Sequence, residues 1–224
     1  MKILCVDTSG KYIAICVKDG KKAGFEKYVQ ADRAYNRLIM SIIEEALVMT
    51  GLGPTDIDVY AAVLGPGSFT GIRVGMAVMK AMAHACSARF TGFSSLDIMA
   101  RSAGSCKGRL WAVLEAGRGE LYAGLYEKNM IKKKYMLISE DEIASMLKKG
   151  DTVSGLSYEG AVRRVAEMRP GLEMREQEKI DMRVFCDMLQ EKGTPGKGGI
   201  YKMAPIYIRP PEAEVKRKKT KRRI

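Results

Sequence analysis

A change of hydrophobic period at Ala31 constrains the fold of this 224-residue chain more than any other feature. Before it lie three short stretches rich in β-branched residues, KILCVDTS, YIAICVKDG and KKAGFEKYVQ. Ser-Gly and Asp-Gly turn signals part them, which predicts a three-strand meander rather than crossovers. After it, Leu38, Ile39, Ile42, Ile43, Ala46, Leu47 and Met49 recur at helical spacing and stop at Gly51, a usual C-terminal position for glycine. IDVYAAVLG is then a continuous apolar run, as a strand buried on both faces requires. A second helix over residues 71 to 85, a short strand in ARFTGFSS and a helix in SLDIMARSAG complete the order βββαβα(βα).

Residues 108 to 169 repeat that order weakly. GRLWAVLEAG, ELYAGLYEKN and KKYMLIS predict a second meander, SEDEIASMLKKG a helix opened by a Ser cap, DTVSG a strand and SYEGAVRRVAEMRPG a helix. VDTSGKYIAICVKDG and LEAGRGELYAGLYEKN each place an acidic residue at the end of a first strand, a glycine turn, and an aromatic early in the next. Two lobes from a duplication follow, 1–102 and 103–209, the latter with a helix in DMRVFCDMLQEKG and a terminal strand in APIYIRP. Residues 210–224 read as a basic, disordered tail.

The chain is 46% hydrophobic with a net charge of +12, and the last fifteen residues hold seven Lys/Arg against two Glu, so the remainder keeps +7. An anionic partner fits that balance without the tail. Five cysteines with no C-x-x-C pair and a single histidine, His84, make a zinc cluster an unexpected outcome, and no metal ligands are assigned. The cysteine usage, with no export signal or membrane span, points to the cytoplasm.

The stretch GPGSFTGIRVGMAVMKAMAHA, residues 65 to 85, superficially resembles a phosphate loop. It lacks the Gly-Lys-Ser/Thr of a Walker loop, the third glycine of a dinucleotide fingerprint and the Gly-x-Ser-x-Gly of a hydrolase elbow. Ser68 and Thr70 are candidate helix caps, and the helix N-terminus is alternatively a place for an anion supplied by a partner. At helical spacing Arg73, Lys80 and His84 fall within about 40° of one another, and every other position from 71 to 85 is Gly, Ala, Val, Ile or Met. Opposite that ridge lie Gly71, Gly75, Val78 and Met82, small enough in part to admit a second backbone. Such a helix is covered on two sides, either by the second lobe or by another molecule, and its methionines suit an adaptable binding surface.

MKILCVDTS, GPGSFTGIRVG, FSSLD, ELY and PIYIR, in this order from residue 1 to about 209, resemble the bacterial TsaB (YeaZ) family. The resemblance implies an α/β actin-like ATPase (ASKHA) fold of two ribonuclease-H-like βββαβα lobes. It implies a non-catalytic subunit that dimerises with TsaD, joins TsaE, and supports threonylcarbamoyl transfer to the adenosine next to the tRNA anticodon. ATP and metal are then expected on the partner subunits and no cofactor on this one; alone, the chain is expected to pair with itself. The implied partner interface, on helices at 33–50 and 71–86, takes in Tyr35, Leu38, Ile39, Ile42, Gly71, Arg73, Gly75, Met76, Met79 and Met82. The family signature loop is Gly65, Pro66, Gly67, Ser68, Phe69 and Thr70.

An enzyme of the same fold, an ATP-dependent phosphotransferase, is the rival. Asp7 stands where such a site would hold magnesium or phosphate, and SGLSYEG at 154 to 160 is a candidate adenosine contact. The plainer account makes Asp7 a turn former for Thr8-Ser9-Gly10 and His84 a surface residue. The tail KRKKTKRR is either a solvated charge run or an aid to tRNA docking through phosphates.

Overall fold

The computed structural model describes residues 1–20, 22–31, 35–128, 130–193 and 199–209, and the basic tail and residues 194–198 of the GTPGKGG stretch lie outside them. The first half runs β1 (Lys2–Asp7), β2 (Tyr12–Asp19), β3 (Lys22–Gln30), α1 (Tyr35–Thr50), β4 (Val59–Val63), α2 (Phe69–Ala85), β5 (Arg89–Phe93) and α3 (Ser95–Ser102). The second repeats it with β6 (Leu110–Gly117), β7 (Glu120–Glu127), β8 (Met130–Ser139), α4 (Glu140–Met146), β9 (Thr152–Leu156), α5 (Ala161–Glu167), β10 (Glu173–Gln177), α6 (Met182–Lys192) and the single-turn α7 (Gly199–Lys202).

Each half forms one five-stranded sheet, ordered β3-β2-β1-β4-β5 and β8-β7-β6-β9-β10. In both, the first three strands are antiparallel neighbours and the fourth and fifth join in parallel, the ribonuclease-H-like arrangement. β1 is the central strand, and Ile3, Leu4, Cys5 and Val6 are all fully buried because helices cover both faces of its sheet.

Period two sorts those faces. Leu4, Val6, Ile13 and Ile15 meet α1 and α2 in one core, while Ile3, Cys5, Ala14 and Cys16 join a second core with α3 and α6. That second core is shared between halves, since α3 packs on β6, β7 and β9 whereas α6 packs on β1 and β2. A third core holds Trp111, Val113, Val153 and Val162 between the second sheet and α4 and α5. No helix among the described residues is long and apolar enough to cross a membrane.

Two expectations need correction. Within the stretch APIYIRP, residues 204–209 form no strand: residues 203 to 208 run as an irregular strap, with the Ile206 N–H donating to the Leu64 carbonyl at 2.8 Å. The other is β10, which was not expected, because EMREQ is polar and lies exposed at the sheet edge.

Candidate functional site

Residues 65 to 70 turn the chain from β4 into α2 through a cis Gly65–Pro66 bond. Ser68 is the N-cap, its side chain accepting from the Gly71 N–H at 3.2 Å, while Thr70 stands exposed in the first turn. The glycines answer to close approach. A Cβ on Gly67 would stand 2.3 Å from the Ser9 carbonyl oxygen, and one on Gly71 1.8 Å from that of Thr8. The turn after β1 locks onto this loop, with Thr8 Oγ1 donating to the Gly71 carbonyl at 2.7 Å and the Ser68 N–H donating to Ser9 at 2.7 Å. The signature loop is thus a packing joint, and its glycines press α2 against the end of β1.

The other family motifs are ties of the same kind. In FSSLD, Ser94 caps α3, the Ser95 hydroxyl donates to the Pro66 carbonyl at 2.6 Å, and Asp97 accepts from Tyr126 and Tyr135 of the second half, each at 2.8 Å. In PIYIR, the Arg209 guanidinium donates to the Ala116 carbonyl at 2.7 Å and pairs with Glu120 of ELY. Asp97 therefore ties the two halves together, and Arg209 fastens the end of the strap to the second sheet.

α1 and α2 place the implied interface residues differently from the expectation. Ile39, Ile42, Met76, Met79, Gly71 and Gly75 are buried beneath the helices against the chain's own first sheet. Tyr35 is buried too, its hydroxyl donating to the Gly10 carbonyl at 2.7 Å. The small-residue face that would admit a second backbone admits Thr8 of the same molecule. Arg73 and His84 are exposed as the ridge predicts, and Leu38 and Met82 are half-buried.

The further cover on α2 comes from the end of the second lobe, the C-terminal strap. Ile200, Met203 and Ile206 pack against this core, Lys80 Nζ donates to the Met203 carbonyl at 2.6 Å, and Arg73 Nε donates to the Tyr207 hydroxyl at 2.7 Å while its guanidinium stacks on Phe69. What stays uncovered is an apolar ridge of Met40 and Val48 on α1, with Met49 exposed on the opposite flank. Met40 is 51%, Val48 73% and Met49 68% exposed. Met40 and Val48 border an open groove of about 600 Å³ that Leu47, Leu52, Pro54 and Met82 also line. Val48 was absent from the implied interface; an apolar side chain on the face that otherwise holds Arg37, Ser41 and Glu44 was the signal available in the sequence.

The cleft between the halves, where Asp7 lies, is nearly filled. The cavity bounded by Asp7, Ser9, Lys11, Glu115, Tyr158 and Glu159 has a volume of about 30 Å³, room for a water-sized guest. Asp7 Oδ1 accepts from the Ser9 N–H at 2.7 Å, so the carboxylate shapes the turn, and burial raises its pKa. Tyr158 reaches over from the second half, packs edge-on against Tyr12 at 6.2 Å, and sets its hydroxyl 2.8 Å from where a Gly10 side chain would begin. Lys11 Nζ lies 5.7 and 5.8 Å from the two ring centres. Beside it Glu159 accepts from the Glu115 N–H at 2.7 Å, and desolvation pushes its carboxyl up to about 7. SGLSYEG thus occupies the cleft instead of lining a nucleotide pocket.

A family model described as "TsaD: tRNA N6-adenosine threonylcarbamoyltransferase" matches residues 29–184. The tRNA threonylcarbamoyladenosine biosynthesis protein TsaB of Escherichia coli (strain K12) is 32% identical over 133 residues, 58% of this chain and 56% of that protein. TsaB of Bacillus subtilis (strain 168) is 28% identical over 129 residues, 57% of this chain and 56% of its own length. The chain spans about half the length of the curated relatives it matches. In overall shape it is similar to YeaZ from Pseudomonas aeruginosa, with a TM-score of 0.75 at 21% identity over 92% of this chain and 99% of that one.

Proposed function

Since this chain belongs to the TsaD family and its curated relatives are TsaB proteins, we propose that it is a non-catalytic partner of a TsaD enzyme. It pairs through the outer surfaces of α1 and α2 and supports threonylcarbamoyl transfer to the adenosine next to the tRNA anticodon. The observation that supports this reading most is the uncovered ridge of Met40 and Val48 beside the α1–α2 groove. Each such side chain contributes about 1.5–3 kcal/mol when fully removed from water, enough for the two to anchor the centre of an interface.

The filled cleft favours an inert scaffold over the phosphotransferase. A cavity of about 30 Å³ has no room for a nucleotide, and Asp7 spends its carboxylate on its own turn. ATP and metal then belong to TsaD and TsaE, and the chain's contribution is to shift its partner toward a competent conformation. In the absence of TsaD the same ridge pairs with a second copy. The basic tail adds phosphate contacts to tRNA without reading bases, and work on tRNA places the protein in the cytoplasm.

Co-purification of the full chain with TsaD tests the pairing. Val48→Asp abolishes recovery of TsaD while circular dichroism stays unchanged; equal recovery with wild type and variant contradicts the proposed face.

A further inference from the structure

Away from both the cleft and the α1–α2 surface, three thiols converge. Cys5 and Cys16 are directly opposed in the β1–β2 register, so their side chains leave the sheet on one face. α6 crosses that face and brings Cys186 down onto them. All three are fully buried, Cys5 Sγ lies 3.1 Å from Cys186 Sγ, and the three sulfurs lie within 4.8 Å of one another. We propose that Cys5, Cys16 and Cys186 form a three-sulfur site for one soft monovalent cation, Cu(I).

A lone buried cysteine is an ordinary small hydrophobe, but three from separate elements meeting at one point make a ligand triangle. Metal–thiolate bonds of about 2.3 Å at trigonal angles put sulfurs about 4 Å apart, within the observed span. Sulfur-only ligation selects soft ions. Zinc wants four ligands, and among the described residues no His, Asp or Glu joins this group. The surrounding core, with Ile3, Ala14 and Phe185, is apolar and offers no further ligand.

Charge is also provided for. Lys18 lies two residues beyond Cys16 on β2, 8% exposed, and pairs with Asp187 next to Cys186. Beside the internally neutral Lys18–Asp187 pair, one thiolate and two thiols around a monovalent ion sum to no net charge; the one displaced proton goes to solvent. Such an ion would pin α6, from the second half of the chain, to the central strands of the first.

The test is an anaerobic titration of the reduced full-length chain with Cu(I) against bicinchoninate, followed by X-ray absorption at the copper edge. One ion per chain resists the competitor, with three sulfurs at about 2.3 Å. Cys16→Ala and Cys186→Ala each weaken retention by more than about a hundredfold, whereas replacing the less buried Cys86 and Cys106 by Ser leaves it unchanged. The absorption measurement on wild type needs no variant to fold. Loss of copper to an equimolar competitor, fewer than three sulfurs, retention that depends on Cys86 or Cys106, or an intact mass lower by two hydrogens from a disulfide overturns the proposal.

Discussion

Gly75 lies so close to Thr8 that a Cβ built on it would stand 2.3 Å from the Thr8 hydroxyl oxygen. One turn earlier, the same hydroxyl donates to the Gly71 carbonyl at 2.7 Å. α2 can sit on the end of β1 only because neither position has a side chain. Gly75→Ala therefore forces the helix outward and destabilises the chain by about 1–3 kcal/mol, and Gly75→Arg by more. Urea unfolding at neutral pH measures this; a midpoint equal to that of wild type would show that the joint is not tight. A larger residue here breaks the fold, so loss of partner binding in such a variant says nothing about the interface.

Glu159 gives the protein a pH dependence with a definite sign. Its folded pKa, raised to about 7 from 4.5, means that between those values the folded state holds more protons than the unfolded one. The contribution is fully present below 4.5 and is lost as pH rises toward 7, on the order of 3 kcal/mol in all. Asp7, also raised by burial, acts in the same direction. Glu159→Gln keeps an acceptor for the Glu115 N–H without the charge, so its stability relative to wild type is greater at pH 8 than at pH 5. Paired melts at the two pH values check this, and a difference that is flat or reversed counts against a buried, neutral Glu159.

Tyr158 lies across Gly10 and leaves the cleft a volume of about 30 Å³. Calorimetric titration of the purified chain with Mg-ATP is expected to register no binding, and no phosphate release should follow. Tight binding with turnover would reinstate the phosphotransferase reading and require Tyr158 to swing away from Tyr12.

Most of the architecture was legible in the sequence because alternation and helical period both report on one covered face. The first meander, α1, β4 and α2, and the Ser139 cap of α4, followed from that signal. β10 escaped it because EMREQ buries little and joins the sheet through backbone bonds and polar side-chain ties such as Gln177 to Ser154, not through an apolar face. The wheel drawn on α2 found its wet ridge at Arg73 and His84, yet it assigned Gly71 and Gly75 to another molecule. Periodicity shows that a face is covered without showing by what. The strap over α2 was equally hidden, since Met203, Ile206 and Tyr207 meet Lys80, Leu64 and Arg73 across more than a hundred residues. The three core thiols are likewise scattered at 5, 16 and 186 and converge only through the β1–β2 register and the path of α6.

The pairing face is the claim on which the functional account stands, and hydrogen exchange of the full chain with and without TsaD addresses it directly. The account predicts slowed exchange in α1 and the following loop from Met40 to Pro54, and in the Val74–Met82 part of α2, with little change around Tyr158. Protection centred on the second sheet, with α1 exchanging at the same rate in both samples, would contradict it.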